Sequence, residues 1–226
     1  MTLVEKTESF VRAELKGNDL SHDFDHILRV RNLALKIAKE ESFEGDDLQI
    51  IELAALLHDV KDWKYSKSET AGVEAVQEFL LEQKVSHEVI SRILRIVDGV
   101  SFKNELGSNS SDSSHLNLRE VYVVRDADRL DAIGAIGIAR TFAYSGFKGL
   151  PLMRKGDESL KVHTLSKEEY MNRDVSQQST IRHFYEKLLR VESLMKTKTG
   201  KRIAARRHQF MEEYLLQFFG EIRCEF

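Results

Sequence analysis

The chain has 226 residues, 42% hydrophobic and 31% charged, which is the composition of a soluble globular protein with one substantial core and excludes a disordered chain. Its 34 basic and 37 acidic residues leave a net charge of -3, so the balance gives no general basic character for holding nucleic acid or an anionic membrane. The one cysteine, Cys224, excludes an intrachain disulfide and a zinc-thiolate site, and a reducing compartment, the cytoplasm, is expected.

Pro151 is the only proline, and apolar residues recur at spacings of three and four in segment after segment. This predicts an all-α protein: one helical bundle over residues 1–226, with a core at about 20–145 and C-terminal helices at 165–220 packed on it. The first helix is expected at 2–15; charges interrupt its apolar residues, so it lacks the continuous core of a signal peptide. The clearest helix runs over 23–41, where Ile27, Val30, Ala34, Ile37 and Ala38 form a stripe and Asp23 and Asp25 lie at the positive end of the helix dipole.

Further helices are expected at 48–58, 69–82, 88–98, 118–144, 176–195 and 201–219. Two breaks stand out, a polar, glycine- and serine-rich loop at 107–117 and a longer irregular segment at 146–159. The longest apolar stretches, 53–57 and 133–139, are far short of the roughly 20 residues a membrane helix needs, and no membrane-spanning segment is expected.

Two His-Asp dipeptides occur, His22-Asp23 and His58-Asp59, where chance predicts about 0.5. The second closes the apolar helix IIELAALLHD, which places a charge where burial demands compensation. A divalent cation supplies it, since imidazole nitrogen and carboxylate oxygen suit manganese, iron, cobalt, nickel or zinc. His26 and, one turn on, Arg29 share a face of the second helix, so a metal ligand and a phosphate-binding cation can point into one cleft.

A further acidic ligand is expected from VVRDADRLDAIGAIGIAR at 123–140. Asp126 and Asp128 lie roughly 200° apart on a helix and cannot both reach one ion, whereas Asp128 and Asp131 share a face. Asp128 is assigned to the metal and Asp131, or another of these acids, to orienting a ligand histidine. His22 reads equally well as a substrate contact or as a polar residue at a helix start.

These residues resemble the HD-domain metal-dependent phosphohydrolases, whose pattern is a histidine, a His-Asp pair and a distant aspartate. Here those are His26, His58-Asp59 and Asp128. SHDFDHILRV, LLHDVKDWK, DADRLDAIGAIGIAR and KLLRVESLMKTKTGKRIAARRHQFM extend the likeness over most of the chain, to small bacterial members that act as nucleoside-triphosphate pyrophosphatases. The resemblance implies an HD-type helical bundle and the ADRL aspartate as ligand. It also implies Asp62, three residues after the His-Asp pair, as the group that positions or deprotonates the attacking water. Arg29, Lys61, Lys64 and Arg140 are then available to neutralise phosphates.

One cation is expected rather than two, because His87 and His115 are not placed to add a second site. Manganese comes first, with magnesium, cobalt, nickel, iron or zinc as alternatives. Trp63 and Tyr65 read as base-stacking or core residues. The glycines of DAIGAIGIAR read as close-packing positions rather than a phosphate loop. The stretch 187–207 carries eight Lys or Arg and one acid, and reads as a solvated face more than as a phosphate contact.

The expected activity is hydrolysis of a nucleoside triphosphate to monophosphate and pyrophosphate. The alternatives are a nucleoside monophosphate phosphatase and a nucleotide- or nucleic-acid-binding regulator with a structural metal. The expected partner is a small phosphorylated substrate, neither membrane nor nucleic acid, and a homo-oligomer is left open.

Overall fold

The computed structural model describes residues 1–16, 23–60, 71–100, 118–163 and 177–225. Every regular element among them is helical, as the residue spacing predicts. No helix among the described residues is long and apolar enough to cross a membrane. The chain divides into two compact units, Met1–Asp128 and Arg129–Phe226.

In the first unit, α1 (Leu3–Glu14) begins at a capping box: the Glu5 amide donates to the Thr2 hydroxyl, and the Thr2 amide to the Glu5 carboxylate. Helix α2 (Phe24–Glu40) begins at Asp23, whose carboxylate accepts from the His26 amide at 2.9 Å. The first His-Asp dipeptide thus supplies a helix cap, and His22 lies outside the described residues.

Helix α3 (Asp46–Leu57) buries Ile50, Ile51 and every residue from Leu53 to Leu57. A helix apolar all round belongs in the interior, and α3 packs on α1, on α2 and on α5 (His87–Val100). Between them comes α4 (Ala71–Glu82), which also packs on α5. Phe10 of α1 stacks on Phe79 of α4 with ring centroids 4.3 Å apart.

Helix α6 (Arg119–Asp131) carries the last residues of this unit, with Val121, Val123, Val124 and Ala127 fully buried. The single helix expected over 118–144 is in fact two, because the chain turns at Ala132–Ile133 before α7 (Gly134–Phe147). Ile133 is extended and Gly134 takes φ +75°, a left-handed conformation that suits glycine. Gly137 makes room for that turn: a Cβ there would lie 2.2 Å from the Ala132 carbonyl oxygen.

In the second unit, α9 (Lys198–Ile222) packs on α7, and Arg207 of α9 donates to the Leu130 carbonyl. Phe142, Phe184 and Tyr214 form an aromatic cluster that also joins α8 (Thr180–Glu186). The helix expected over 176–195 is only the seven residues of α8 followed by two 3-10 turns, Leu188–Arg190 and Glu192–Leu194. The irregular segment after α7 is pinned by the fully buried Asp157, which accepts from the Arg154 amide at 2.7 Å, the Ser179 hydroxyl at 2.6 Å and the Arg182 guanidinium at 3.2 Å.

Candidate metal centre

The first unit brings His26, His58, Asp59 and Asp128 together. His26 is placed in the first turn of α2, 1% exposed, by the Asp23 cap. His58 is the residue that closes α3, and its Nδ1 lies 2.8 Å from the Ala55 carbonyl. A carbonyl only accepts, so Nδ1 carries a proton and the neutral ring presents its lone pair at Nε2.

That atom points at the other candidates. His58 Nε2 is 3.6 Å from Asp59 Oδ1 and 3.7 Å from Asp128 Oδ1. His26 Nε2 is 3.4 Å from Asp59 Oδ2 and 3.5 Å from the same Asp128 oxygen. The two imidazoles meet edge to face with centroids 5.5 Å apart.

The electrostatics show what this convergence costs. Burial disfavours a charged His58, yet the carboxylates of Asp59 and Asp128, with the Ala55 carbonyl, push its pKa up to about 9. Burial likewise works to raise Asp128, but the neighbouring His58 and His26 hold it well below the usual carboxylate range. Even so, His58 Nε2 is buried without a hydrogen-bond partner, a deficit that native interiors rarely tolerate.

The donor set fits a divalent cation. Ligand atoms of His26, His58 and Asp59 all lie within 4.8 Å of one another. Ligands about 2.1 Å from a shared ion sit roughly 3.0–3.4 Å apart in octahedral or tetrahedral arrangements, close to the separations present here.

The remaining sequence candidates divide. Arg29 is half-buried on α2, one turn after His26. Lys61, Asp62, Trp63, Lys64 and Tyr65 lie outside the described residues, as does His115; His87 is exposed at the start of α5. Asp126 is fully buried. Asp131 accepts from Arg140 Nη1 at 2.9 Å, and the same nitrogen reaches the Asp131 carbonyl at 3.2 Å, so these two candidates pair within the second unit. Sequence reasoning missed the Ala55 carbonyl, which no residue type could signal, and it passed over the buried Arg125.

A helical fold that brings a histidine, a His-Asp pair and a distant aspartate to one point fits the HD class of hydrolases. The HD domain family matches residues 23–133. The Bacillus subtilis protein YpgQ is 34% identical over 218 residues, which span 96% of this chain and 93% of that one. A Lactobacillus plantarum structure superposes with a TM-score of 0.78 at 32% identity, covering 99% of each chain. YpgQ solved in complex with ADP gives 0.72 at 32%, covering 97% of each. A Bacillus thuringiensis HD-superfamily hydrolase gives 0.71 at 37%, covering 97% of this chain and 96% of the other. The chain belongs to the HD-domain family and is one of its hydrolases.

Proposed function

We propose that the protein is a metal-dependent phosphohydrolase that cleaves a nucleoside triphosphate between its alpha and beta phosphates, releasing a monophosphate and pyrophosphate. The observation that carries the chemistry is the convergence of two buried imidazoles and two carboxylates around an unpartnered His58 Nε2. The nucleotide is supported by the similar YpgQ, a protein solved with ADP.

On this reading His26, His58, Asp59 and Asp128 hold one divalent ion, manganese first among the alternatives. Such an ion lowers the pKa of water and polarises a phosphoryl oxygen. The protein supplies the rest. The Ala55 carbonyl keeps the Nδ1 proton of His58 in place, so that Nε2 remains a donor of electrons to the cation.

Asp62 takes the proton of the attacking water as the bridging P–O bond breaks, and one water is consumed per turnover. Arg29, on the face of α2 that presents His26, offsets phosphate charge. Lys61, Lys64 and Arg140 stand as further phosphate contacts on the sequence pattern alone. A manganese-supplemented screen of ribo- and deoxynucleotides with product identification tests the reading. Pyrophosphate with a nucleoside monophosphate is the expected outcome; orthophosphate released from monophosphates would replace this activity with a phosphatase.

A further inference from the structure

Asp128 is remote in sequence from His26 and His58-Asp59, and it rides on a helix of its own. Its carboxylate meets both imidazoles only if α6 is held in one position relative to α2 and α3. Helix α5 packs on α3, and side chains of α6 and α5 reach across to each other. Arg125, one turn before Asp128, is 4% exposed, and its Nε and Nη2 both donate to the Gly99 carbonyl, at 3.0 and 2.7 Å. Gly99 is in the last described turn of α5.

The same glycine permits the approach. A Cβ at Gly99 would come 2.7 Å from Val121 Cγ1 of α6. Arg92 makes a second tie at the far end of α6, to Glu120 at 3.0 Å and to Asp47 of α3 at 2.7 Å, but that pair is open to solvent screening. The tie beside Asp128 is the buried one. An apolar side chain would fill the Arg125 site without the desolvation cost of a guanidinium. What the guanidinium adds is direction: two donors fixed in one plane on one acceptor.

We propose that Arg125 is a positioning residue for the metal centre, its forked grip on the Gly99 carbonyl setting the placement of α6 that holds Asp128 3.5 and 3.7 Å from the two imidazoles. The inference rests on the reading of Asp128 as a ligand.

Calorimetric titration of the full chain with manganese, alongside circular dichroism, tests it. Arg125→Met removes the donors, and its manganese Kd should weaken by about 10- to 100-fold with the helical spectrum retained. Saturating manganese should then restore kcat, a split that simple loss of folded protein does not produce. Arg125→Lys keeps the charge without the fork and should fall between.

Gly99→Ala forces the helices apart while leaving Arg125 intact, so it decides the matter even if Arg125→Met fails to fold. Its Kd should weaken similarly, and adding Val121→Ala in the same chain should recover most of the loss. Asp128→Asn is the reference. Unchanged manganese affinity there overturns the ligand reading itself. Weakened affinity in Asp128→Asn with unchanged affinity in Gly99→Ala and in any folded Arg125→Met overturns the positioning role alone.

Discussion

His58 stands between two electrostatic partners. Without a cation it is held protonated, its pKa raised from an ordinary 6.5 to about 9 by Asp59 and Asp128 against the opposing effect of burial. Its ion pairs therefore stabilise the metal-free fold fully below about pH 6.5, and that contribution is lost as pH rises through about 9. A cation must displace the same proton. Across that window, manganese affinity should rise with pH and each binding event should release protons, read by calorimetry in buffers of different ionisation enthalpy; affinity that is flat with pH would contradict the coupling. Replacing His58 or Asp59 with alanine should lower turnover by more than about 100-fold while the far-ultraviolet helical signal survives, and full activity in either variant would reject the site.

At the scale of the helix, the first His-Asp dipeptide has a structural part: the Asp23 carboxylate caps α2, at the positive end of the helix dipole, and so sets the turn that presents His26. Asp23→Ala should cost about 1 kcal/mol, seen as a lower urea midpoint with an unchanged slope.

The helices themselves were legible because three-and-four spacing and a nearly proline-free sequence admit little else. The turn at Ala132–Ile133 was not, since Ala, Ile and Gly keep helical spacing straight through it, and it is made by the backbone, an extended Ile133 and the positive φ of Gly134. Leu188, Val191 and Met195 are buried at the spacing of an α-helix, yet Leu188 opens one 3-10 turn, Val191 joins it to the next and Met195 is extended beyond the second; spacings of three and four do not separate the two structures. His58 stood out as a polar residue closing an apolar helix, whereas Asp157 lay in an irregular segment with no periodicity to signal its burial.

For the molecule as a whole, the all-helical class followed from composition and spacing, and the shared residues carried the family. The division at Asp128 has no mark in the sequence, because α6 runs through it without a glycine or proline. Stability should depend on the cation. Manganese at 100 times its Kd should add about 2.7 kcal/mol and raise the thermal midpoint by roughly 5–10 °C, with reversal by a chelator; an unmoved midpoint would mean that no tight site forms.

The candidate ligands come from α2, from the end of α3 and from the last turn of α6, so an ion that joins them works as a reversible cross-link. It closes a loop of roughly 70 residues between His58 and Asp128, the kind of constraint a disulfide imposes, in a chain whose lone Cys224 cannot form one internally. The bond that serves the chemistry would then also fasten the end of the first unit to its beginning.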